Sequence, residues 1–494
     1  DHFEPGELEV EAVRAGNDIL LMPSDAGKAI QAIKQAVRNG EIASERIDAS
    51  CRRILLAKKW AGLDSLQPVE TTKLAERLNH RKYLPLKRMT IEHAVTLVRD
   101  RDSVVPVSTL ESVELATLNI EADSVSPFAA MVDRYKHADH YYLDPHKDMN
   151  DPEEWNKQLI RYDLVMLNIC NTSFYRENYG IHPRTVDFLR NLDIPGKLIV
   201  SMFGSPYALD ELDSLQKADA IIVGYDDDPM YQESVVQGIF GGIPFQGKLP
   251  VTVGESFPAA TGIASAPPSR LSYGMPEMVG MNYDTLKVID SLAMDAILQK
   301  ATPGCQVLVA RHGKVVWHKA YGYHTYQNRR KVTTDDLYDL ASVTKISSTV
   351  PALMRLQDQG LFHVDDSLGA YFPEMDTSAK GDLLIRDVLS HQSGLAAWIP
   401  FYQETLEPLD TSQALFSNRL TDIYSYRIGP HAYANRNTVH KGGVYETSYS
   451  ESHPLQVARD LYLRSDYRDS IYTAILRSPL GEREYRYSDL GYYY

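Results

Sequence analysis

The chain has 494 residues, is 44% hydrophobic, and carries 51 Lys and Arg against 66 Asp and Glu, for a formal net charge of −15. Its length predicts two to four domains, since one domain takes roughly 100–200 residues. The hydrophobic fraction excludes a disordered chain, and no stretch of about 18 apolar residues predicts a membrane-spanning helix. The acidic excess argues against non-specific binding to nucleic acid or anionic lipid. Cys51, Cys170 and Cys305 lie far apart, which predicts neither a disulfide framework nor a thiolate metal site.

The first part of the chain has an α/β pattern. Residues 17–23 (Asn-Asp-Ile-Leu-Leu-Met-Pro) predict a short buried strand that ends at the proline. Ser24 or Asp25 can cap the helix that follows, and Gly40 ends it. A second helix is expected after Ala43. One strand and two helices cannot form a domain by themselves, so we expect this segment to be the end of a larger one.

Residues 66–103 predict a polar connection and a helix. Beyond them, apolar runs alternate with amphipathic stretches; the runs are Val113–Ile120, Leu164–Ile169, Leu198–Phe203 and Ala220–Val223. Buried runs separated by helices are typical of a mostly parallel sheet that is covered on both faces. The pattern therefore predicts an α/β domain.

Residues 259–281 are rich in Ala, Ser, Pro and Gly, which is typical of a linker. A helix over about 284–299 follows, and a β-hairpin is predicted around the turn His312-Gly313-Lys314. Residues 396–470 are aromatic and polar without a clear period. We expect them to form a long insertion over a site.

Ser342 and Lys345 lie three residues apart at the start of a predicted helix over about 342–359. Residues at this spacing share a helical face, so the hydroxyl and the amine can meet in one pocket. A nearby lysine that is kept neutral can take the proton of a serine and make it a nucleophile. The spacing alone is weak evidence, because Ser214 and Lys217 share it in the α/β region, where we expect a solvated helix face.

The surroundings of Ser342 are more specific. The stretch Asp336-Leu-Tyr-Asp-Leu-Ala-Ser-Val-Thr-Lys345 follows the hairpin, and Ile385-Arg-Asp-Val-Leu-Ser-His-Gln-Ser-Gly-Leu395 comes later. This arrangement over about 280–395 resembles the serine β-lactamase-like family, close to class C enzymes, D-Ala-D-Ala carboxypeptidases and related esterases. The resemblance implies that Ser342 is the nucleophile and Lys345 the base. His391 is expected to order the backbone of its turn.

The family's second element is Tyr-x-Asn, whose tyrosine assists proton transfer. Tyr326 precedes the serine and Tyr433 lies in the irregular insertion, so the context favours Tyr487 as the third catalytic residue. Asp489 then stands where Asn is usual and is assigned to substrate binding, although a carboxylate cannot donate the hydrogen bond of an amide. The family's third element, a Lys-Thr-Gly or His-x-Gly strand, is expected beyond the sequence, since Lys441-Gly-Gly precedes Tyr487. The fragment itself is therefore expected to be inactive.

The first half resembles family-3 glycoside hydrolases. Its segments Ala15-Gly-Asn-Asp-Ile-Leu-Leu-Met-Pro23 and Ile47–Leu63 resemble the end of the family's barrel. Phe203-Gly-Ser-Pro-Tyr207, Ala218–Val223 and Gly247-Lys-Leu-Pro-Val-Thr252 resemble its C-terminal α/β domain. The resemblance is to the β-N-acetylglucosaminidase branch, whose Asp nucleophile and His–Asp acid/base pair are expected upstream of Asp1.

The predicted fold class is a multidomain α/β chain: the end of a (β/α)8 barrel, an α/β sandwich with a mostly parallel sheet, and a β-lactamase/transpeptidase-like α+β domain. The expected boundaries are a barrel remnant at 1–65, a connection at 66–103, the α/β domain at 104–258, a linker at 259–281 and an incomplete serine hydrolase domain at 282–494. Both ends of the chain are expected to be cut.

The predicted function is a fragment of a bifunctional hydrolase. The glycosidase part implies hydrolysis of β-linked N-acetylglucosamine or a similar sugar, and the serine part implies a peptide, amide or ester substrate, such as a cell-wall stem peptide. No cofactor, metal or nucleic-acid partner is expected, and family analogy implies a periplasmic or extracellular location. Two alternatives stay open: a glycosidase with a non-catalytic β-lactamase-like binding or scaffolding module, and an inactive remnant.

Overall fold

The structure is a computed structural model that describes residues 3–493 apart from 5, 66–67, 69, 123–125, 150, 174, 213–216 and 430. The chain divides into two compact units, residues 1–335 and 336–494. Each unit is described by itself.

The first unit begins with three helices: α1 (Glu7–Arg14), α2 (Ala26–Arg38) and α3 (Ser44–Trp60). Asp25 caps α2 as predicted, because its carboxylate accepts a hydrogen bond of 3.0 Å from the backbone N–H of Lys28. Gly40 follows the helix with φ 77°, a left-handed conformation that glycine adopts at little cost. Val13, Ala36 and Ile42 form the small buried cluster of this segment.

The strand predicted at 17–23 is wrong. In this part of the described structure the segment has no strand hydrogen bonding, and Leu21 and Met22 are 88% and 87% exposed. An apolar run becomes a buried strand only when neighbouring strands satisfy its backbone and helices cover its faces. The described residues provide neither at this position.

The α/β part has helices and strands in alternation. In chain order they are α4 (Leu74–Leu78), α5 (Leu84–Ala94), β1 (Thr96–Asp100), β2 (Leu115–Ile120), α6 (Pro127–Asp133), β3 (Asp139–Leu143), α7 (Pro152–Leu159), β4 (Leu164–Ile169), α8 (Pro183–Asn191), β5 (Lys197–Met202), α9 (Leu209–Leu212), β6 (Ala220–Val223) and α10 (Pro229–Ile239).

Six strands of the described chain form one sheet in the order β1-β6-β5-β4-β2-β3. All neighbours are parallel except β1, which pairs antiparallel with β6 at the edge. The predicted mostly parallel sheet is therefore confirmed, with β4 and β6 at the predicted bounds. The edge strands β1 and β3 were not predicted.

Helices cover both faces of this sheet. Along β4, Val165 and Leu167 belong to one buried cluster and Met166 to the other, as the two-residue period of a strand requires. Phe188 of α8 packs into the first cluster and Phe128 of α6 into the second. The sheet thus carries a core on each side, which explains why its strands read as continuous apolar runs.

The segment 259–281 runs along the α/β part, to which its backbone is hydrogen-bonded: Leu249 N–H donates to Thr261 O at 2.8 Å and Ile263 N–H to Leu97 O at 2.8 Å. The remaining elements of the first unit are β7 (Ser272–Tyr273), α11 (Tyr283–Leu286), α12 (Val288–Leu298), β8 (Gly304–Arg311) and β9 (Lys314–Gly322). Strands β8 and β9 form the predicted antiparallel hairpin. Its turn residues His312 and Gly313 have φ of 50° and 73°, as a two-residue type I′ turn requires.

The second unit contains α13 (Val350–Asp358), α14 (Leu368–Tyr371), α15 (Ile385–Leu389), β10 (Phe416–Ser417), β11 (Tyr424–Gly429), β12 (Ala432–Asn435), β13 (Tyr445–Glu446), β14 (Leu455–Ala458), β15 (Leu461–Leu463) and α16 (Tyr467–Arg477). Its buried cluster consists of Phe362, Leu368, Met375, Leu383, Ile385, Val388 and Leu395. The strands β10 to β15 form two small three-stranded sheets, so the segment 396–470 contains regular structure although its sequence has no clear period. These strands are too short and too exposed to give a clear period-two pattern.

Candidate active site

Ser342 lies on a tight turn that leads into a helix. Ala341 before it has φ 44°, a left-handed conformation that is unusual for a residue with a side chain. The carboxylate of Asp339 accepts a hydrogen bond of 2.7 Å from the N–H of Ala341 and supports this turn. A π-helical turn over Lys345–Thr349 then continues into α13. The predicted helix is therefore present in two parts, with Ser342 exposed at its start.

Lys345 lies between a hydroxyl and a carboxylate. Its Nζ is 3.3 Å from Ser342 Oγ and 2.6 Å from Asp489 Oδ1. The side chain of Lys345 is 17% exposed and that of Asp489 is 35% exposed. Lys345 and Asp489 are separated by 144 residues in the sequence. The fold thus brings together the predicted serine, lysine and aspartate.

Two tyrosine rings flank the same ammonium group. Lys345 Nζ lies 5.4 Å from the ring centre of Tyr487 and 5.2 Å from that of Tyr492. Both distances are within the range in which a cation is attracted to an aromatic face. The ring of His391 lies 4.3 Å from that of Tyr487 and 5.6 Å from that of Tyr492. The predicted Tyr487 is therefore in the site, and so is Tyr492, which the Tyr-x-Asn motif does not include.

Backbone hydrogen bonds fix the segment that carries Tyr487 and Asp489. His391 accepts at both its carbonyl and its ring: Arg486 N–H donates to the carbonyl at 2.9 Å, and Ser488 N–H donates to Nδ1 at 3.2 Å. The buried Ser488 hydroxyl donates to Ala396 O at 2.7 Å, and Asp489 N–H donates to Ala397 O at 3.1 Å. The expectation that His391 orders backbone agrees with these contacts.

The charge state of Lys345 follows from its neighbours. Burial alone lowers the pKa of a lysine, but the hydrogen bonds with Asp489 and Tyr487 outweigh it and raise the pKa of Lys345 above its ordinary value. The resting site at neutral pH therefore holds an ammonium ion and not a neutral amine. Burial raises the pKa of Tyr492, which keeps its hydroxyl protonated.

The other sequence candidates lie in different surroundings. Tyr433 is on β12, where the side chain of its neighbour Asn435 donates to Gln413 Oε1 at 3.1 Å. Lys441 Nζ donates to Glu404 O at 2.8 Å. Tyr326 belongs to the first unit, where its hydroxyl donates to Lys300 O at 2.7 Å. The second Ser-x-x-Lys match begins at Ser214, which is outside the described residues.

An apolar cavity of about 330 Å³ adjoins the site. Leu353 and Leu356 of α13, Phe362, and Val388 of α15 line it, and Tyr492 forms part of its wall. Tyr492 therefore contacts both the cavity and the charged group at Lys345. Among the described residues, no cluster of three or more His, Cys, Asp or Glu side chains is arranged to hold a metal ion. No helix in the described ranges is long and apolar enough to cross a membrane.

Two family models match separate parts of the chain. A family model described as Beta-lactamase matches residues 288–426, and one described as Glycosyl hydrolase family 3 N terminal domain matches residues 1–57. The first match includes Ser342 and Lys345, and Tyr487 lies beyond it.

Individual proteins and solved structures are similar to parts of the chain. The chain is 25% identical over 225 residues to an Escherichia coli protein described as "Putative D-alanyl-D-alanine carboxypeptidase", covering 42% of this chain and 51% of that protein. It is 35% identical over 114 residues to an N-acetylmuramyl-L-alanine amidase of Bacillus subtilis, covering 20% and 26%. A solved structure, the family 3 beta-N-acetylglucosaminidase of a Paenibacillus species, matches with 19% identity and a TM-score of 0.37, covering 50% of this chain and 47% of that one. The chain spans about half the length of the E. coli relative.

The chain thus combines regions of two hydrolase classes. It joins a region of the glycosyl hydrolase family 3 type to a region of the beta-lactamase type. The predicted fusion and the predicted α/β multidomain class are confirmed.

Proposed function

We propose that Ser342 is the nucleophile of a serine hydrolase site, with Lys345 as its proton acceptor and Tyr487 as a proton relay. The observation that carries this proposal is the 3.3 Å separation of Lys345 Nζ and Ser342 Oγ beside the Tyr487 ring. A nucleophile and a base within hydrogen-bonding reach, with a third group that orients the base, are what covalent catalysis requires.

In the proposed reaction, Ser342 Oγ forms a bond to the carbonyl carbon of the substrate while its proton passes to the free amine form of Lys345. Tyr487 then passes a proton to the leaving nitrogen or oxygen as its bond to the carbonyl carbon breaks, and it regains a proton from Lys345, which returns to the free amine. Water attacks the resulting acyl ester, which releases the acid and restores Ser342. Asp489 borders the same space and is proposed to contact the substrate.

The proposed substrates are peptides, amides or esters, and a cell-wall stem peptide is the best candidate within this class. Support comes from the descriptions of the E. coli and B. subtilis relatives, "Putative D-alanyl-D-alanine carboxypeptidase" and "N-acetylmuramyl-L-alanine amidase". The family 3 part is proposed to belong to an enzyme that hydrolyses β-linked N-acetylglucosamine. Together these activities suit peptidoglycan turnover outside the cytoplasm.

The experiment is labelling of the whole chain with a fluorophosphonate and with a penicillin, followed by peptide mass spectrometry. We expect an adduct on Ser342 that is lost in Ser342→Ala, because acylation requires the nucleophile and its base. Formation of this adduct would show that the expectation of an inactive fragment does not hold for the acylation step. Ser347→Ala is the matched control, because Ser347 is a nearby helical serine whose hydroxyl donates to the backbone of Val343 at 3.0 Å. Labelling of Ser342→Ala at the wild-type rate, or no adduct in any variant, would contradict the serine hydrolase proposal.

A further inference from the structure

The carboxylate of Asp489 lies beside the amine of Lys345, where it affects whether that amine is protonated. Asp489 Oδ1 is 2.6 Å from Lys345 Nζ, a distance typical of a strong charge-assisted hydrogen bond. The same Nζ is 3.3 Å from Ser342 Oγ. An ammonium group has donors only, so in this state Lys345 cannot accept the Ser342 proton.

The aromatic and acidic neighbours of Lys345 between Tyr487 and Tyr492 favour its charged form. Tyr487 and Tyr492 present ring faces at 5.4 and 5.2 Å, and Asp489 supplies a negative charge. The titratable ring of His391 packs against Tyr487, with the two ring centres 4.3 Å apart. The partial burial of Lys345 opposes the charged form but also keeps water from screening the pair.

Asp489 is itself held in place by the fold. Its N–H donates to Ala397 O at 3.1 Å, and the preceding Ser488 is hydrogen-bonded to Ala396 O and to the ring of His391. The carboxylate therefore reaches Lys345 from a backbone that is held by hydrogen bonds at Ser488 and at Asp489 itself. An amide side chain at this position has nearly the same shape and an oxygen acceptor, but it lacks the negative charge.

We propose that Asp489 is a positioning residue that holds Lys345 as an ammonium ion and thereby confines acylation of Ser342 to alkaline pH. This inference rests on the proposed function, because it assumes that Ser342 is acylated. Acylation begins once hydroxide has taken one proton from Lys345. The free amine then accepts the proton of Ser342 as Oγ bonds to the acyl carbon or to the phosphorus of a probe, and the leaving group departs with its electron pair.

The test is the pH dependence of Ser342 labelling in the whole chain. The rate of fluorophosphonate labelling is measured between pH 6 and 10 for wild type, Asp489→Asn and Asp489→Glu. Removal of an opposite charge at this distance lowers a lysine pKa by about one unit or more, so Asp489→Asn should label about tenfold faster at neutral pH. Asp489→Glu keeps the charge and should keep the alkaline profile. Asp382→Asn, an exposed aspartate of the same unit, is the matched control.

A second measurement does not need a reactive serine. Reductive methylation with ¹³C-formaldehyde makes each lysine visible by NMR, and Lys345→Met assigns the resonance of Lys345. The resonance should titrate at lower pH in Asp489→Asn than in wild type, and it should not move in Asp382→Asn. Circular dichroism verifies that each variant is folded.

The outcomes separate this inference from the proposed function. If Ser342 labels in wild type but Asp489→Asn has the same pH profile, or labels more slowly at every pH, the inference is overturned and the nucleophile proposal stands. If no variant labels, the proposed function fails. An unchanged Lys345 titration in Asp489→Asn overturns the role of Asp489 in either case.

Discussion

Gly491 lies between Asp489 and Tyr492, in a place with no room for a side chain. A Cβ atom on Gly491 would lie 2.2 Å from Val388 Cγ1 and 3.5 Å from Leu395 Cδ1. Val388 is branched and only 4% exposed, so it cannot turn away as a long surface side chain could. In Gly491→Ala, either helix α15 or the segment that carries Asp489 must therefore shift.

Overpacking of a well-packed core by one methyl group costs about 1–3 kcal/mol. We expect Gly491→Ala to lower the local stability of this region by that amount and to slow the labelling of Ser342. Hydrogen–deuterium exchange of peptides that cover residues 385–395 and 488–493, read by mass spectrometry, measures the local free energy of opening. Gly442→Ala is the control, because nothing lies within 4 Å of a Cβ at that position.

A double-mutant cycle tests whether the contact with Val388 causes this loss of stability. Val388→Ala removes the atom that the new methyl group meets, so Gly491→Ala should cost much less in the Val388→Ala background than in wild type. The reasoning is refuted if Gly491→Ala costs the same in both backgrounds, or if Gly442→Ala is equally destabilising.

Three further predictions concern single contacts. Ser488→Ala removes the donor to Ala396 O and should destabilise the same peptides by about 0.5–1.5 kcal/mol, because a partly buried hydrogen bond is lost; unchanged exchange would contradict this. Gly313→Ala forces a side chain into a conformation with φ 73° and should cost about 1–2 kcal/mol, seen as faster exchange across the hairpin β8–β9. The ion pair of Lys345 with Asp489 raises the pKa of the lysine. The stabilisation that this ion pair contributes is therefore present below the ordinary lysine pKa and is lost as the pH rises through the raised pKa. Urea unfolding at pH 8 and pH 11, monitored by hydrogen exchange, should show this loss of stability in wild type and not in Asp489→Asn.

The sequence predicted the centre of the sheet better than its edges. Strand β4 lies at the predicted residues because both of its faces are buried and every position except Asn168 is apolar. Strand β3, with the sequence Asp-His-Tyr-Tyr-Leu, lies at the sheet edge and is partly exposed, so it has no such run. Residues 17–23 have an apolar composition without the neighbouring strands that burial needs. Composition predicts a strand only where the fold supplies its partners.

For the candidate site, local spacing pointed to Ser342 and Lys345, whereas the resemblance to the serine β-lactamase-like family was needed for Tyr487 and Asp489. The Tyr-x-Asn pattern alone would select Tyr433, which is followed by Asn435, and not Tyr487, which is followed by Asp489. The contact that places Tyr487 in the site joins segments far apart in the sequence, since Lys345 and Asp489 are separated by 144 residues. Tyr492 could have been found by its spacing, since it lies three residues after Asp489 and a short helical turn brings such positions together. The charge state of Lys345 could not be predicted, because it depends on a distance and not on a sequence.

The position of the antiparallel strand β1 affects how the sheet folds during synthesis of the chain. It is the first strand of the sheet to leave the ribosome, and its partner β6 is the last. Until β6 has been synthesised, Leu97 and Val98 have no strand beside them, and the growing sheet keeps an open apolar margin. Closing such a long loop is slow compared with the pairing of strands that are adjacent in sequence. We therefore expect a nascent chain that ends before β6 to be more accessible to chaperones and proteases than one that extends past β6 and can complete its sheet.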